Sequence, residues 1–200
     1  EEVSRGLGDV YKRQIYEYFE KNSSDKQMID YYQLGKKLKK LHEITPSKKI
    51  KSFEDQFNLY LNVSLPELGN KYLKDAIDLF NELNVGKDKY VLSHNDLNSS
   101  NVMLKNNKVV FIDFEYLSIN CKYSDLSKLI DSLNLKTLDK NKLLKGYGID
   151  EINDSINIKI KKWSLMNIYT ELIWANYINK YKKNHFDRDY INLLKRKIKQ

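Results

Sequence analysis

The sequence predicts an α+β fold that is mostly helical, with a small sheet near its middle. Three observations lead to this prediction. Apolar residues recur every three or four positions over residues 28–83 and again beyond residue 124, which is typical of helices packed on a core. Between these regions, the segments "YVLS", "NVMLK" and "KVVFIDF" are short and rich in β-branched or aromatic residues. The order of helices, sheet and helices is typical of an α+β domain.

The composition indicates one domain, or one lobe of a larger protein. The 200 residues are 41% hydrophobic, which is enough for a buried core, and no apolar run approaches the roughly 18 residues of a membrane helix. The single cysteine, Cys121, excludes an internal disulfide, and the first residues lack the apolar stretch of a signal peptide. We therefore expect a cytoplasmic protein without a membrane span.

The net charge of +8 raises the question of nucleic-acid binding. Almost all of the positive charge is lysine, scattered over the predicted helices, and only four arginines are present. We expect a solvated lysine-rich surface and no nucleic-acid site.

The predicted elements follow in order. Residues 1–14 differ in composition from the rest and are interpreted as an unrelated or non-native leader, and residues 15–20, "IYEYFE", alternate like a strand. A helical run with apolar residues from Met28 to His42 is predicted to stop near Pro46, a second helix is predicted over residues 53–61, and a third from Pro66 to about Leu83. After the sheet, helices are predicted over residues 124–133, 139–146, 151–182 and 187–198.

A predicted hairpin brings polar residues together in the middle of the chain. Asn106-Asn107 is a plausible turn between "NVMLK" and "KVVFIDF", so Asn101 and Asp113 reach the same end of the hairpin, with Asp96 in the loop before it. A strict two-residue turn would put Asn101 and Asp113 on opposite faces. We therefore expect either an odd-length turn or an Asn101 that lies beyond the end of the strand ladder.

These three residues suit phosphoryl transfer. Mg²⁺ prefers hard oxygen ligands and keeps waters and phosphates in its coordination shell. Asn101 and Asp113 could therefore be the ligands that the protein supplies. Asp96 then remains to accept the proton of a substrate hydroxyl. The segment His94 to Asn101 fits the kinase loop form H-x-D-L-x-x-x-N, and Asp113-Phe114 stands where kinases have the aspartate of D-F-G.

The segments "HNDLNSSNVML" and "FIDFEYLSINCKYSDLSKL" resemble the choline/ethanolamine kinases, including the bacterial lipopolysaccharide-choline type, within the aminoglycoside-phosphotransferase-like superfamily. The resemblance covers roughly residues 15–181 and is most specific over residues 92–129. It implies the C-terminal lobe of a protein-kinase-like fold, ATP and Mg²⁺ as cofactors, and a small amino alcohol as the substrate.

The resemblance also implies roles for single residues. Asp96 would be the catalytic base, Asn101 and Asp113 the Mg²⁺ ligands, and Asp125 a support for the loop, although Asp125 also has the position of a helix N-cap. His94 is interpreted as a residue that packs the loop, while Glu115 is either a support near the metal or a surface acid. The strand over residues 15–20 would be the interlobe hinge, where the backbone of Tyr18 and Phe19 meets adenine.

The acceptor site is expected on the long predicted helix. Its aromatic and apolar residues recur at helical spacing and belong either to the core or to a binding site for a cationic group: Trp163, Met166, Tyr169, Ile173, Trp174, Tyr177 and Tyr181. We name Tyr116, Glu171, Trp174 and Tyr177 as acceptor-binding candidates. Some members of the resembled family have two tryptophans three residues apart where this chain has Glu171 and Trp174, so choline, ethanolamine and other amino alcohols stay open.

A kinase of this superfamily also needs an N-terminal lobe that covers the phosphates. The residues before the hinge are too few to form one, so residues 21–200 are interpreted as the C-terminal lobe of a longer kinase, with little or no activity alone. Two alternatives remain: an aminoglycoside-type small-molecule kinase, and a kinase-like binding protein without catalysis.

Overall fold

The computed structural model describes residues 29–64, 69–84, 90–105, 108–182 and 185–199. The predicted leader and the predicted hinge strand, with Tyr18 and Phe19, lie outside these residues. The described part contains seven α-helices and four strands in this order: α1 (Tyr31–His42), α2 (Phe53–Ser64), α3 (Asn70–Asn84), β1 (Tyr90–Ser93), β2 (Val102–Lys105), β3 (Lys108–Phe111), β4 (Ser118–Cys121), α4 (Lys122–Ser132), α5 (Thr137–Tyr147), α6 (Asp154–Tyr181) and α7 (Arg188–Ile198).

The predicted order of helices, sheet and helices is confirmed, with shifted boundaries. Helix α1 begins at Tyr31 and not at Met28, because the Asp30 carboxylate accepts hydrogen bonds from the backbone N–H groups of Tyr32 and Gln33 and caps the helix there. Helix α3 begins at Asn70, and its predicted start at Pro66 lies outside the described residues.

Two glycines, Gly35 on α1 and Gly146 on α5, let these helices cross with their backbones in contact. An alanine Cβ at Gly35 would lie 2.1 Å from the carbonyl oxygen of Leu143, and one at Gly146 would lie 2.0 Å from that of Tyr32. Neither helix could approach the other this closely with a side chain at these positions. This crossing brings His42, at the end of α1, next to Tyr147, at the end of α5.

The strands form two antiparallel pairs instead of one hairpin sheet. Strand β2 pairs with β3 in a register that joins Val102 to Phe111 and Lys105 to Lys108. Strand β1 pairs with β4, so that Ser93 lies opposite Ser118. The sequence analysis missed β4, whose partner is almost thirty residues away and whose four residues give too short a pattern to detect.

Helix α6 is the centre of the core. It packs against α2, α3, α4 and α7, and Trp163, Met166, Leu172 and Ile173 on it are buried. Most of the aromatic stripe proposed for this helix is therefore core, while Trp174 is only half-buried. No helix in the described ranges has the length and apolar character needed to cross a membrane.

Candidate active site

The candidate site is built around residues 94–101, here called the polar loop, which connects β1 to β2. Its second half is a short 3₁₀-helix over Ser99–Asn101, capped by Asn98, whose side-chain oxygen accepts hydrogen bonds from the backbone N–H groups of Ser100 and Asn101. Asn101 therefore lies in this helix, beyond the end of the β2–β3 ladder, and its carbonyl accepts the Ile112 N–H at 3.1 Å. The alternative of an odd-length turn was wrong, since the register implies a two-residue turn.

Asp125 on α4 holds the start of the polar loop. Its carboxylate is fully buried and accepts the backbone N–H groups of His94 and Asn95, each at 2.8 Å. It also accepts from His42 Nε2 at 3.0 Å, and the other ring nitrogen of His42 lies 2.8 Å from the Tyr147 hydroxyl. The prediction that Asp125 is an N-cap was wrong, because α4 begins at Lys122 and places Asp125 within its first turns.

Asn95 ties the polar loop to the turn before β4. It has left-handed backbone geometry (φ 64°), which asparagine tolerates better than most residues. Its side-chain amide donates to the carbonyl oxygens of Ser93 and Tyr116 and to the Ser118 hydroxyl, while its oxygen accepts from Asn120 at 2.7 Å. This network fixes Tyr116 relative to the loop.

Asp96 is held by side chains of its own loop. Its Oδ2 accepts from the amides of Asn101 at 3.0 Å and Asn98 at 3.2 Å. Burial raises the pKa of Asp96 above the usual aspartate range, and the Lys128 ammonium opposes that rise. The Oδ2 atom is therefore engaged within the loop, whereas Oδ1 accepts no hydrogen bond from the described loop residues. Asp96 also lines the cavity described below.

His94 packs the loop and does not reach toward the cavity. The side chain is buried, its Nε2 lies 2.8 Å from the Ile112 carbonyl, and its Nδ1 lies 3.3 Å from the Asp96 N–H. The Ile112 carbonyl accepts from Nε2 and the Asp96 N–H donates to Nδ1, so both ring nitrogens are engaged by the main chain. The ring also contacts Phe114, with 4.6 Å between centroids.

Asn101 and Asp113 are the pair considered for Mg²⁺. The Asn101 amide nitrogen donates to Asp96, and the hydrogen bond from Ile112 to the Asn101 carbonyl puts Asp113 one residue away from Asn101. Asp113 is exposed and has left-handed geometry (φ 64°), a strained backbone state that often accompanies functional sites. An amide oxygen and a carboxylate are ligand types that Mg²⁺ prefers. Within the described residues, no group of three or more His, Cys, Asp or Glu could hold a metal.

A cavity of about 390 Å³ opens beside Asp96. It contains three of the four predicted acceptor residues, namely Tyr116, Glu171 and Trp174. The fourth, Tyr177, does not line it and packs on Tyr60, with 5.0 Å between ring centroids. Glu115 is exposed and lines the cavity.

One wall of the cavity is aromatic. Tyr116 meets Trp174 edge to face at 6.0 Å, Trp174 lies 5.1 Å from Phe186, and Phe186 stacks on Tyr190 at 5.0 Å. Phe186 lies between α6 and α7, where Asn179 binds its backbone N–H and carbonyl with one amide group. The cavity wall is therefore fixed by main-chain hydrogen bonds as well as by ring packing.

A charged pair, Lys128 and Glu171, also lines the cavity and is joined to the aromatic wall through Tyr190. Lys128 Nζ lies 3.1 Å from Glu171 Oε2, and the Tyr190 hydroxyl donates to Glu171 Oε1. Burial acts to raise the pKa of Glu171, but the Lys128 ammonium and the Tyr190 hydroxyl outweigh it, so the pKa of Glu171 is lower than usual. Burial also raises the pKa of the Tyr190 hydroxyl, and Glu171 adds to the rise, so Tyr190 stays a donor.

The sequence analysis missed several cavity residues: Phe53, Gln56, Tyr60, Asn98, Ser124, Lys128, Asn167, Thr170, Phe186 and Tyr190. They come from α2, the polar loop, α4, α6, the segment between α6 and α7, and the start of α7, and no local pattern joins them. Only Lys128 could have been found from the sequence, by its spacing from Asp125. It lies three residues after Asp125, one helical turn along the same face of α4.

Comparison with known proteins identifies the family and the fold. The family model for choline/ethanolamine kinases matches residues 9–132, more than half of the chain. A LicA homologue of Metamycoplasma hominis is 31% identical over 128 residues, which are 58% of this chain and 48% of that protein. An amicoumacin kinase of Bacillus subtilis is 27% identical over 143 residues, which are 65% of this chain and 43% of that protein.

The crystal structure of a choline/ethanolamine kinase family protein from Mesorhizobium loti matches the fold. Its TM-score is 0.71 at 16% identity, and the match covers 84% of this chain and 61% of that one. The chain thus spans about half the length of the curated relatives. The fold is the C-terminal lobe of a protein-kinase-like protein, as predicted, and the chain belongs to the choline/ethanolamine kinase family.

Proposed function

We propose that the protein transfers a phosphoryl group from ATP to the hydroxyl of a small amino alcohol, choline or ethanolamine. One observation carries this proposal: Asp96, held by Asn98 and Asn101, faces a cavity that has an aromatic wall and two further carboxylates. The wall suits a cationic head group, and the aspartate suits the hydroxyl beside it.

Asp96 is proposed to accept the proton of the acceptor hydroxyl and to orient its oxygen. Its Oδ2 already accepts two amide hydrogen bonds, which fix the carboxylate plane. A positioned base of this kind contributes about 10²–10⁴-fold in rate. Asn101 and Asp113 are proposed to hold Mg²⁺, which supplies charge neutralisation for the phosphates when it is bound.

The acceptor's cationic head is proposed to lie against Trp174, Phe186 and Tyr116. Each cation–π contact contributes roughly 0.5–2 kcal/mol, and a quaternary ammonium depends on such faces because it has no N–H donor. Glu171 has both carboxylate oxygens engaged by Lys128 and Tyr190. A head group that needs hydrogen-bond acceptors finds fewer of them here, so we favour choline over ethanolamine.

A second candidate is a larger amine-bearing alcohol such as an antibiotic. The similarity to a protein named amicoumacin kinase supports it, since the polar loop alone does not distinguish the acceptors. A kinase-like binding protein without catalysis is a third possibility, which the loop residues make less attractive because a binder needs no base.

The test uses the gene product with any residues that precede this chain, and the 200-residue chain beside it. We expect ATP- and Mg²⁺-dependent phosphorylation of choline by the full gene product, less with ethanolamine, and none with an aminoglycoside. Asp96→Asn should lower turnover by about 10²–10⁴-fold while choline affinity, measured by calorimetry, changes less than about threefold. Choline binding without turnover in the unaltered protein would favour the binding protein, and turnover of the aminoglycoside alone would favour the antibiotic kinase.

A further inference from the structure

Helix α4 lies along the polar loop and binds its main chain at two places. Asp125 accepts the backbone N–H groups of His94 and Asn95, and Ser132, two turns later, donates to the Leu97 carbonyl at 3.3 Å. Lys128 lies between them on the same helix face. The helix therefore places the Lys128 ammonium beside Asp96, the loop residue between those held by Asp125 and Ser132.

Lys128 is the one lysine or arginine among the described residues that line the cavity. The same lining contains Asp96, Glu115 and Glu171, so its carboxylates outnumber its cations. Such a cavity suits a cationic alcohol, but a phosphate ester that forms there brings about two negative charges next to Asp96. An anion of this kind needs a cation at that point.

The Lys128 ammonium has the geometry to supply this charge. Glu171 Oε2 accepts one of its hydrogen bonds, and Tyr190 holds the other oxygen of Glu171, so the ammonium is fixed from one side. An ammonium has three donors, and Lys128 has one hydrogen bond to the described residues, which leaves two N–H groups for a ligand. Its side chain keeps 23% of its accessible surface, on the cavity.

We propose that Lys128 is the phosphate-binding residue of the acceptor cavity and that it recognises a phosphomonoester of the amino alcohol. The ammonium, oriented by Glu171 and Tyr190, donates to the phosphoryl oxygens after transfer, while the aromatic wall keeps the cationic head. This inference rests on the proposed function, because it takes the phosphorylated acceptor as the ligand. The cavity would then bind two forms of the acceptor, the free alcohol before transfer and its phosphomonoester after transfer.

The test compares the affinities of choline and phosphocholine for the 200-residue chain by calorimetry, at one Mg²⁺ concentration, so no turnover is needed. Lys128→Met should weaken phosphocholine binding at least about tenfold, as expected for the loss of a charge-assisted hydrogen bond. Choline binding should stay the same or tighten, because a like charge has left the cavity. Lys128→Arg should keep most of the phosphocholine affinity.

Two controls separate this role from simple structural support. Lys162→Met removes a lysine that pairs with Glu82 outside the cavity, and it should change neither affinity. The double variant Lys128→Met/Glu171→Gln removes both charges, so the cavity keeps its net charge and no buried carboxylate is left alone. Phosphocholine binding should stay weak in it.

Several results would overturn the inference. Equal losses for choline and phosphocholine in Lys128→Met would indicate a structural role, and recovery of phosphocholine binding in the double variant would show that only the net charge matters. If the unaltered chain binds choline but Lys128→Met leaves phosphocholine affinity unchanged, the inference fails and the proposed function stands. If the unaltered chain binds neither compound, the inference fails for this chain, and the proposed function is decided separately by the turnover assay on the full gene product.

Discussion

Replacing Asp125 by asparagine tests whether one buried carboxylate holds the polar loop. The carboxylate accepts two backbone N–H groups and the His42 ring and has no exposed surface. Asparagine offers one oxygen in place of two. If the asparagine oxygen accepts from His94 and His42, its NH₂ group faces the Asn95 N–H. Two hydrogen-bond donors then face each other in the core without an acceptor.

The expected magnitude follows from these contacts. A hydrogen bond to a charged group contributes about 1.5–3 kcal/mol, and a buried donor without a partner costs about 1–3 kcal/mol. We therefore expect Asp125→Asn to lower the free energy of unfolding by about 3–5 kcal/mol, close to what breaking a buried ion pair costs.

Urea denaturation of the 200-residue chain measures this change, and native-state hydrogen exchange locates it. The backbone N–H groups of His94 and Asn95 should lose protection more than those of α6. Asp139→Asn is the matched control, because Asp139 pairs with Lys142 at the surface and should contribute less than about 1 kcal/mol. A change below about 1 kcal/mol in Asp125→Asn, or unchanged exchange at His94 and Asn95, would refute the assignment of these hydrogen bonds as the support of the loop.

Two further predictions concern the core and the cavity. Gly35→Ala should lower the free energy of unfolding by more than about 2 kcal/mol, because its Cβ would lie 2.1 Å from the Leu143 carbonyl oxygen; a thermal melt close to that of the unaltered chain would contradict the crossing of α1 and α5. The pKa of Glu171 is lower in the folded chain than its ordinary value of 4.5, so its stabilising contribution is complete above pH 4.5 and is lost as pH falls through the folded pKa. Glu171→Gln should therefore flatten the dependence of stability on pH below 4.5, and an identical acid profile in both proteins would show that the pair with Lys128 contributes nothing.

The sequence predicted the polar loop well because the residues that form it are close together in the chain. Asp96, Asn101 and Asp113 lie within eighteen positions, and a single hairpin is enough to bring the last two together. The same spacing posed a difficulty, because a two-residue turn would place Asn101 and Asp113 on opposite faces of the hairpin. The chain resolves it by starting a 3₁₀-helix at Ser99, which removes Asn101 from the ladder.

Other features depended on partners distant in sequence, and local patterns could not show them. Asp125 has the residue type of an N-cap, but the backbone N–H groups of His94 and Asn95 compete for its carboxylate, and α4 starts at Lys122 without a side-chain cap. Tyr177 has the spacing of the aromatic stripe, yet the rotation of α6 turns it toward Tyr60. Helical spacing predicts a shared face and does not say what the face meets.

The structure separates the part of the site that positions Asp96 from the part that lines the cavity proposed for the acceptor. Asp125 and Ser132 on α4 bind main-chain groups of the polar loop, so they fix the loop whatever the cavity contains. The aromatic wall comes from α6, the segment that follows it, α7 and the turn before β4. Among the described residues, that turn is the part of the wall that is hydrogen-bonded to the loop, through Asn95. A change of acceptor can therefore be made at Trp174 or Phe186 without moving Asp96. Tyr116 is different, because its carbonyl accepts a hydrogen bond from Asn95 of the loop. A shift of the Tyr116 backbone would therefore also shift the loop. Lys128 belongs to both parts, since it lies on the helix that holds the loop and pairs with a carboxylate of the wall.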